Sequence, residues 1–85
     1  MIKYEDITGK SRADIDRFLM NAFLIHKGIS FRCGDTYYNV SKFSSEYLVT
    51  ELVLDHSGHV KEMYDKDQYF CFKDLVDGIY MLATT

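Results

Sequence analysis

The chain has 85 residues, of which 47% are hydrophobic, 15% aromatic and 27% charged, and a formal net charge of −3. A length below the usual ~100 to 150 residues excludes two domains, so residues 1-85 are read as one compact unit. The apolar content excludes a disordered chain, and no window approaches the ~18 consecutive apolar residues of a membrane-spanning helix.

Ser11-x-x-Asp14 resembles a capping box, and Ile15, Phe18, Leu19, Ala22 and Phe23 then fall on one helical face. The spacing predicts a helix over 11–26, stopped by Gly28 in a left-handed conformation. Ile29, Phe31 and Cys33 alternate with polar residues, and Gly34-Asp35 is a two-residue hairpin signal before Thr36 to Val40. Tyr47 to Leu54 is the longest β-favouring run. Asp55-His56-Ser57-Gly58 separates it from a weaker strand, His59 to Tyr64. Phe72, Leu75, Val76, Ile79, Tyr80 and Ala83 repeat the helical spacing and predict a second helix over 70–83, with Gly78 an interior weak point.

The expected fold class is α+β: an antiparallel three- or four-stranded meander in the order α-β-β-β-β-α, with both amphipathic helices on one face. The strand at 47–54 is apolar on both sides. With Leu48, Leu52 and Leu54 turned to the helices, Tyr47, Val49 and Val53, together with Tyr37, form a patch on the uncovered face. The competing expectation is that an N-terminal arm, Ile2, Tyr4 and Ile7, covers it.

Charge is unevenly spread. Residues 1–43 hold seven Lys/Arg against five Asp/Glu, and residues 44–85 hold three Lys against eight acids. The acidic half repels phosphate and suits a basic protein partner, so nucleic acid is not the expected ligand. The first ten residues lack an apolar run behind a basic stretch, so a cytoplasmic location with Cys33 and Cys71 reduced is expected.

No chemical signature stands out. His56-x-x-His59 beside Asp55 could contribute to a zinc site, but the isolated cysteines do not complete a ligand knuckle. Asp65-Lys66-Asp67 starts like a calcium loop yet lacks its glycine and terminal glutamate, and reads instead as a polar bend. Ser44, Ser45, Cys33 and Cys71 form no specific pattern with the histidines, and the five glycines are scattered singly rather than gathered into a phosphate-binding loop. Neither catalysis nor a cofactor or metal is therefore expected. Tyr37, Tyr38 and Tyr47 could stack bases only beside a cationic groove.

Gly9-Lys10-Ser11-Arg12 before a helix, Phe23-Leu24-Ile25-His26, Gly34 before a tyrosine pair, and Phe72-x-x-Leu75-Val76 occur in an order that resembles Src-homology-2 domains. The resemblance implies phosphopeptide binding, with Phe23-Leu24-Ile25 on a strand that ends in a phosphate-gripping arginine. His26 stands at that position here, and periodicity makes the same segment the end of a helix.

The function expected first is a non-enzymatic protein-interaction module, with a protein partner or a second copy of the chain as its ligand. Size and composition look like those of small phage or mobile-element inhibitors, including anti-CRISPR proteins. The expected contact residues are Tyr37, Tyr47, Val49, Glu51, Val53, Asp55, Asp65 and Asp67. The second expectation is a small nucleic-acid-binding regulator that uses the basic first half.

Overall fold

A computed structural model describes residues 4–84. Its elements are β1 (Glu5–Asp6), α1 (Arg12–Ile25), β2 (Gly28–Cys33), β3 (Thr36–Phe43), β4 (Glu46–Leu54), β5 (Val60–Tyr69) and α2 (Phe72–Thr84). The strands form one sheet in the order β1-β2-β3-β4-β5. β2 to β5 are antiparallel neighbours, and β1 runs parallel to β2. The α+β class, the terminal helices and the four-stranded meander agree with the sequence reading; the parallel β1 adds a fifth strand and makes the sheet mixed.

The two residues of β1 carry charge and show no periodicity, so tertiary bonds hold them in place. Ile7 N donates to Arg32 O at 2.9 Å. The Asp6 carboxylate accepts from Thr8 Oγ1 at 2.6 Å, Thr8 N at 3.1 Å and Gly34 N at 3.2 Å, and pairs with Arg32 Nη1 at 3.2 Å. These bonds, led by the Thr8 hydroxyl, pull the Asp6 carboxyl down to about 2. Ile7 is fully buried, so this part of the arm enters the core instead of covering the open face. Tyr4 does lie on the open side, with its ring edge-to-face on Tyr37 at 5.0 Å. Ile2 falls outside the described residues.

α1 begins at its expected cap, where Ser11 Oγ accepts from Asp14 N at 3.2 Å. Its end differs from expectation. His26 is the C-cap with extended backbone (φ −120, ψ 157), and Gly28 already belongs to β2. The chain thus turns directly from helix to strand, and no left-handed glycine is needed. Positive φ occurs at Gly34 (64) and, without a glycine, at Ser44 (55) in the tight β3–β4 turn. That turn lets β3 and β4 pair as far as Phe43 and Glu46.

The core lies between the helices and one sheet face. Ile15 and Leu19 of α1 and Leu75, Val76, Ile79 and Ala83 of α2 pack on Phe31, Tyr38, Val40, Tyr47 and Val49, all buried. Phe18 and Phe23 flank them, with ring centroids 6.2 Å from Phe31 and 5.5 Å from Tyr47. The expected facing of β4 is therefore reversed. Tyr47 (8% exposed) and Val49 (1%) lie under the helices, and Leu48, Leu52 and Leu54 turn to the open face. Register explains the reversal: Val49 stands opposite Val40 and Tyr47 opposite Lys42, whereas Leu48 and Thr50 stand opposite Ser41 and Asn39. The middle of β3 is apolar at Tyr38 and Val40 and polar at Asn39 and Ser41 on the other side, so burying Tyr38 and Val40 carries Val49 with them.

β5 runs on to Tyr69 through Asp65-Lys66-Asp67, where a polar bend was expected. Two register irregularities, opposite Val49/Thr50 and Val53/Leu54, absorb extra residues as β-bulges. At its end the Tyr69 ring rests on Gly78 of α2, where a Cβ would overlap the tyrosine hydroxyl and ring. Gly78 is thus the point of closest approach between α2 and β5, which explains a glycine inside a helix.

Candidate interaction surface

The open face is built from cross-strand rows. Met63 of β5 stands opposite Leu52 of β4, Leu52 opposite Tyr37 of β3, and Tyr37 opposite Arg32 of β2. A shorter row pairs Val60 with Leu54. The next row is polar, Asp65–Thr50–Asn39–Ser30, with Ser30 Oγ donating to Asn39 Oδ1 at 3.0 Å and Asn39 Nδ2 to Ser41 Oγ at 2.9 Å. The row of Met63, Leu52 and Tyr37, with Val60 and Leu54, therefore lies in the half of the face nearest the β4–β5 turn, and Leu48 is set apart from it beyond the polar row. Leu52 is shielded by its neighbours to 7%, but Met63 is 62% and Val60 45% exposed. Among the described residues no helix covers this side, and exposed apolar side chains grouped in this way suit a contact surface.

Beside the patch is a hollow of about 500 Å³ lined by Tyr4, Tyr37 and Leu54 and by His56, Ser57, Gly58 and His59 of the turn. The turn is held by Asp55, whose Oδ1 accepts from Ser57 Oγ (2.7 Å), Ser57 N (2.9 Å) and His59 N (3.0 Å). These bonds, with the Ser57 hydroxyl first, lower the Asp55 carboxyl below its ordinary value. Ser57 Oγ also lies 3.0 Å from His59 Nδ1. This order does not suit nucleophilic catalysis, where histidine must stand between the serine and the acid. The turn instead shapes the rim of the hollow. Among the described residues, no three His, Cys, Asp or Glu side chains converge as a metal site requires.

The eight expected contact residues do not form one surface. Only Tyr37 and Asp65 lie on the open face. Tyr47 and Val49 are core, Glu51 and Val53 point to the helix side opposite Tyr64 and Glu62, and Asp55 is in the turn. Asp67 also lies on the helix side and accepts from Tyr69 Oη at 2.9 Å. Desolvation and this contact push the Tyr69 phenol up to about 12. Leu52, Leu54, Val60 and Met63 stand on the open face in their place, and Tyr4, expected in an arm over that face, packs there on Tyr37. Their signal was available in the β3 alternation, Tyr38 and Val40 against Asn39 and Ser41, which fixes the inner face of the neighbouring strand.

The opposite end of the sheet has a different character. A groove of about 760 Å³ is lined by Phe23, His26, Lys27, Lys42, Phe43 and Ser44 among others, with no carboxylate in its wall. Lys42 Nζ lies 5.7 Å from the centre of the Tyr47 ring, within cation–π range. Cys33 is half-buried, and desolvation raises its thiol to about 11; Cys71 is exposed, and both are free. Phe23-Leu24-Ile25 is the last turn of α1, so the segment that would be a strand in a Src-homology-2 domain is helical here. No helix among the described residues is long and apolar enough to cross a membrane. No protein-family model matches the chain, and no match to a curated protein or a solved structure was found.

Proposed function

We propose that this protein is a non-enzymatic interaction module that binds a protein partner through the open sheet face near the β4–β5 turn. The observation that carries the reading is the Met63–Leu52–Tyr37 row, with Val60 and Leu54 beside it, on a side without helices. Tyrosine and methionine combine large contact area with tolerance of water, a composition typical of contact surfaces. Asp65 borders the row and suits a partner with basic groups around an apolar centre. Occlusion of a basic, nucleic-acid-binding surface, as an inhibitor from a phage or mobile element would achieve it, is the specific activity proposed. The test is a photo-crosslinking residue placed at Met63 or, as a control on the helical side, at Met81. Capture of one protein species from position 63 only, lost on Val60→Asp, is expected. Equal capture from both positions, or capture unaffected by Val60→Asp, refutes the reading.

A second reading, binding of nucleic acid, is favoured by the groove at the other end, where Lys27 and Lys42 stand beside Phe23 and Phe43. It predicts salt-dependent binding of a single-stranded oligonucleotide that is lost on Lys27→Glu plus Lys42→Glu. Retained binding in that variant rejects the groove.

A further inference from the structure

β5 is an edge strand of ten residues, and every one from Val60 to Gln68 is exposed. Among the described residues no strand pairs with its outer row of backbone N–H and C=O groups, a template for another chain. The order of charges along it is Lys61, Glu62, Met63, Tyr64, Asp65, Lys66, Asp67. Read against itself in the antiparallel sense and centred on Tyr64, this segment complements itself. Glu62 meets the partner's Lys66, Lys61 meets the partner's Asp67, and the two-fold repeats both pairs.

We propose that two copies of this chain associate by antiparallel pairing of β5 with β5 about a two-fold axis at Tyr64, forming a continuous ten-stranded sheet. The faces agree with this register. Met63 and Asp65, which would be opposite each other, both lie on the open face, as do Val60 and Gln68; Tyr64, on the helix side, meets its own copy. Side chains directly opposite in a regular antiparallel pair stand about 4.5 to 5.5 Å apart at Cβ, within reach of ion pairing, and the bulges at Lys61 and Lys66 fall one on each side of Tyr64, so the two halves of the segment stay equal in length. Neighbouring registers are disfavoured. A slip of one residue in one direction sets Lys61 against Lys66 and Glu62 against Asp65; in the other it sets Glu62 against Asp67. Like charges directly opposite are destabilising, so the same residues that favour one register exclude its neighbours.

Charges and bulges also serve to guard an edge against pairing. A guard needs charge only; it has no need of charges that complement their own reversed order, and β5 has both. Tyr64 Oη donates to Glu62 Oε2 at 2.7 Å, holding that carboxylate at the edge near the axis. Two such subunits would keep both helical layers on one side and place their open faces side by side, leaving the face assigned above to a protein partner uncovered.

The test is sedimentation equilibrium of the full chain, with circular dichroism confirming that each variant is folded. The wild type is expected as a dimer of twice 10.0 kDa. Glu62→Lys and Lys66→Glu, each alone, put like charges opposite each other twice and should raise the dissociation constant by about tenfold or more. Mixed in equal amounts, the two variants restore both pairs and should form a heterodimer, an outcome that misfolding of either cannot produce. A wild type that is monomeric at several hundred micromolar overturns the proposal, as does a Glu62→Lys variant that dimerises like the wild type. A mixture that does not associate also overturns it. Position 63 lies beside this seam, so a crosslink from it to a second copy of the chain reports the pairing, whereas a crosslink to a different protein species reports the open-face reading on which the proposed function rests.

Discussion

Replacing Gly78 by Ala sets two effects of opposite sign against each other. In a helix interior Ala is favoured over Gly by about 1 kcal/mol, so propensity alone predicts a more stable protein. The packing predicts the reverse. A Cβ at Gly78 would overlap the Tyr69 hydroxyl and Cζ and lie 3.1 Å from Cε1. Tyr69 cannot simply swing away, because its ring is packed against the core and its hydroxyl is bonded to Asp67 at 2.9 Å. Overpacking of this kind costs about 1 to 3 kcal/mol, and forcing the ring out also strips the contact with Asp67. The net expectation is a loss of about 1 to 2 kcal/mol, or a fall in Tm of about 4 to 8 °C for each kcal/mol in a domain of this size. Urea denaturation followed by circular dichroism measures it, and the decisive comparison is a double-mutant cycle with Tyr69→Ala. Once the ring is gone the clash is gone, so Gly78→Ala in the Tyr69→Ala background should stabilise by about 0.5 to 1 kcal/mol. A stabilising effect in the wild-type background, or no change of sign between backgrounds, refutes the packing of Tyr69 on Gly78.

Leu19→Ala, at a fully buried position in α1, should cost about 2 to 5 kcal/mol, and the half-buried Phe23→Ala less; denaturation midpoints in the reverse order would mean the inner face of α1 is wrongly assigned. Asp6 has a carboxyl lowered from 3.8 to about 2, so its contribution to stability is complete above about pH 4 and disappears as pH falls through about 2. Asp6→Asn should accordingly flatten the acid limb between those values, whereas an acid limb parallel to that of the wild type contradicts the anchoring of β1. Ser44→Gly relieves a left-handed backbone at a non-glycine residue and should raise the urea midpoint, by up to about 1 kcal/mol of stability; a lowered midpoint would show that the turn adopts another geometry.

Periodicity made both helices legible in the sequence, together with their inner faces, because an amphipathic helix carries its burial pattern within itself: Ile15 and Leu19, and Leu75, Val76 and Ile79, needed no neighbour to be placed. The cap at Ser11 and the turn at Gly34 were legible for the same reason, since each rests on chemistry within a few residues. What depends on a neighbouring strand was not. β4 is apolar on both sides, and only pairing with β3, polar at Asn39 and Ser41, decided that Val49 goes inward and Leu52 outward. β1 exists because Ile7 and Asp6 find partners on β2 and the β2–β3 turn. Residues 65–69 of β5, too polar to announce a strand, are extended because β4 offers them a ladder. The candidate surface inherits this division: its Asp65 and Tyr37 could be named from the chain, but Met63 and Leu52, with Leu54 beside them, came together only through register, a property of strand pairs that no strand holds alone.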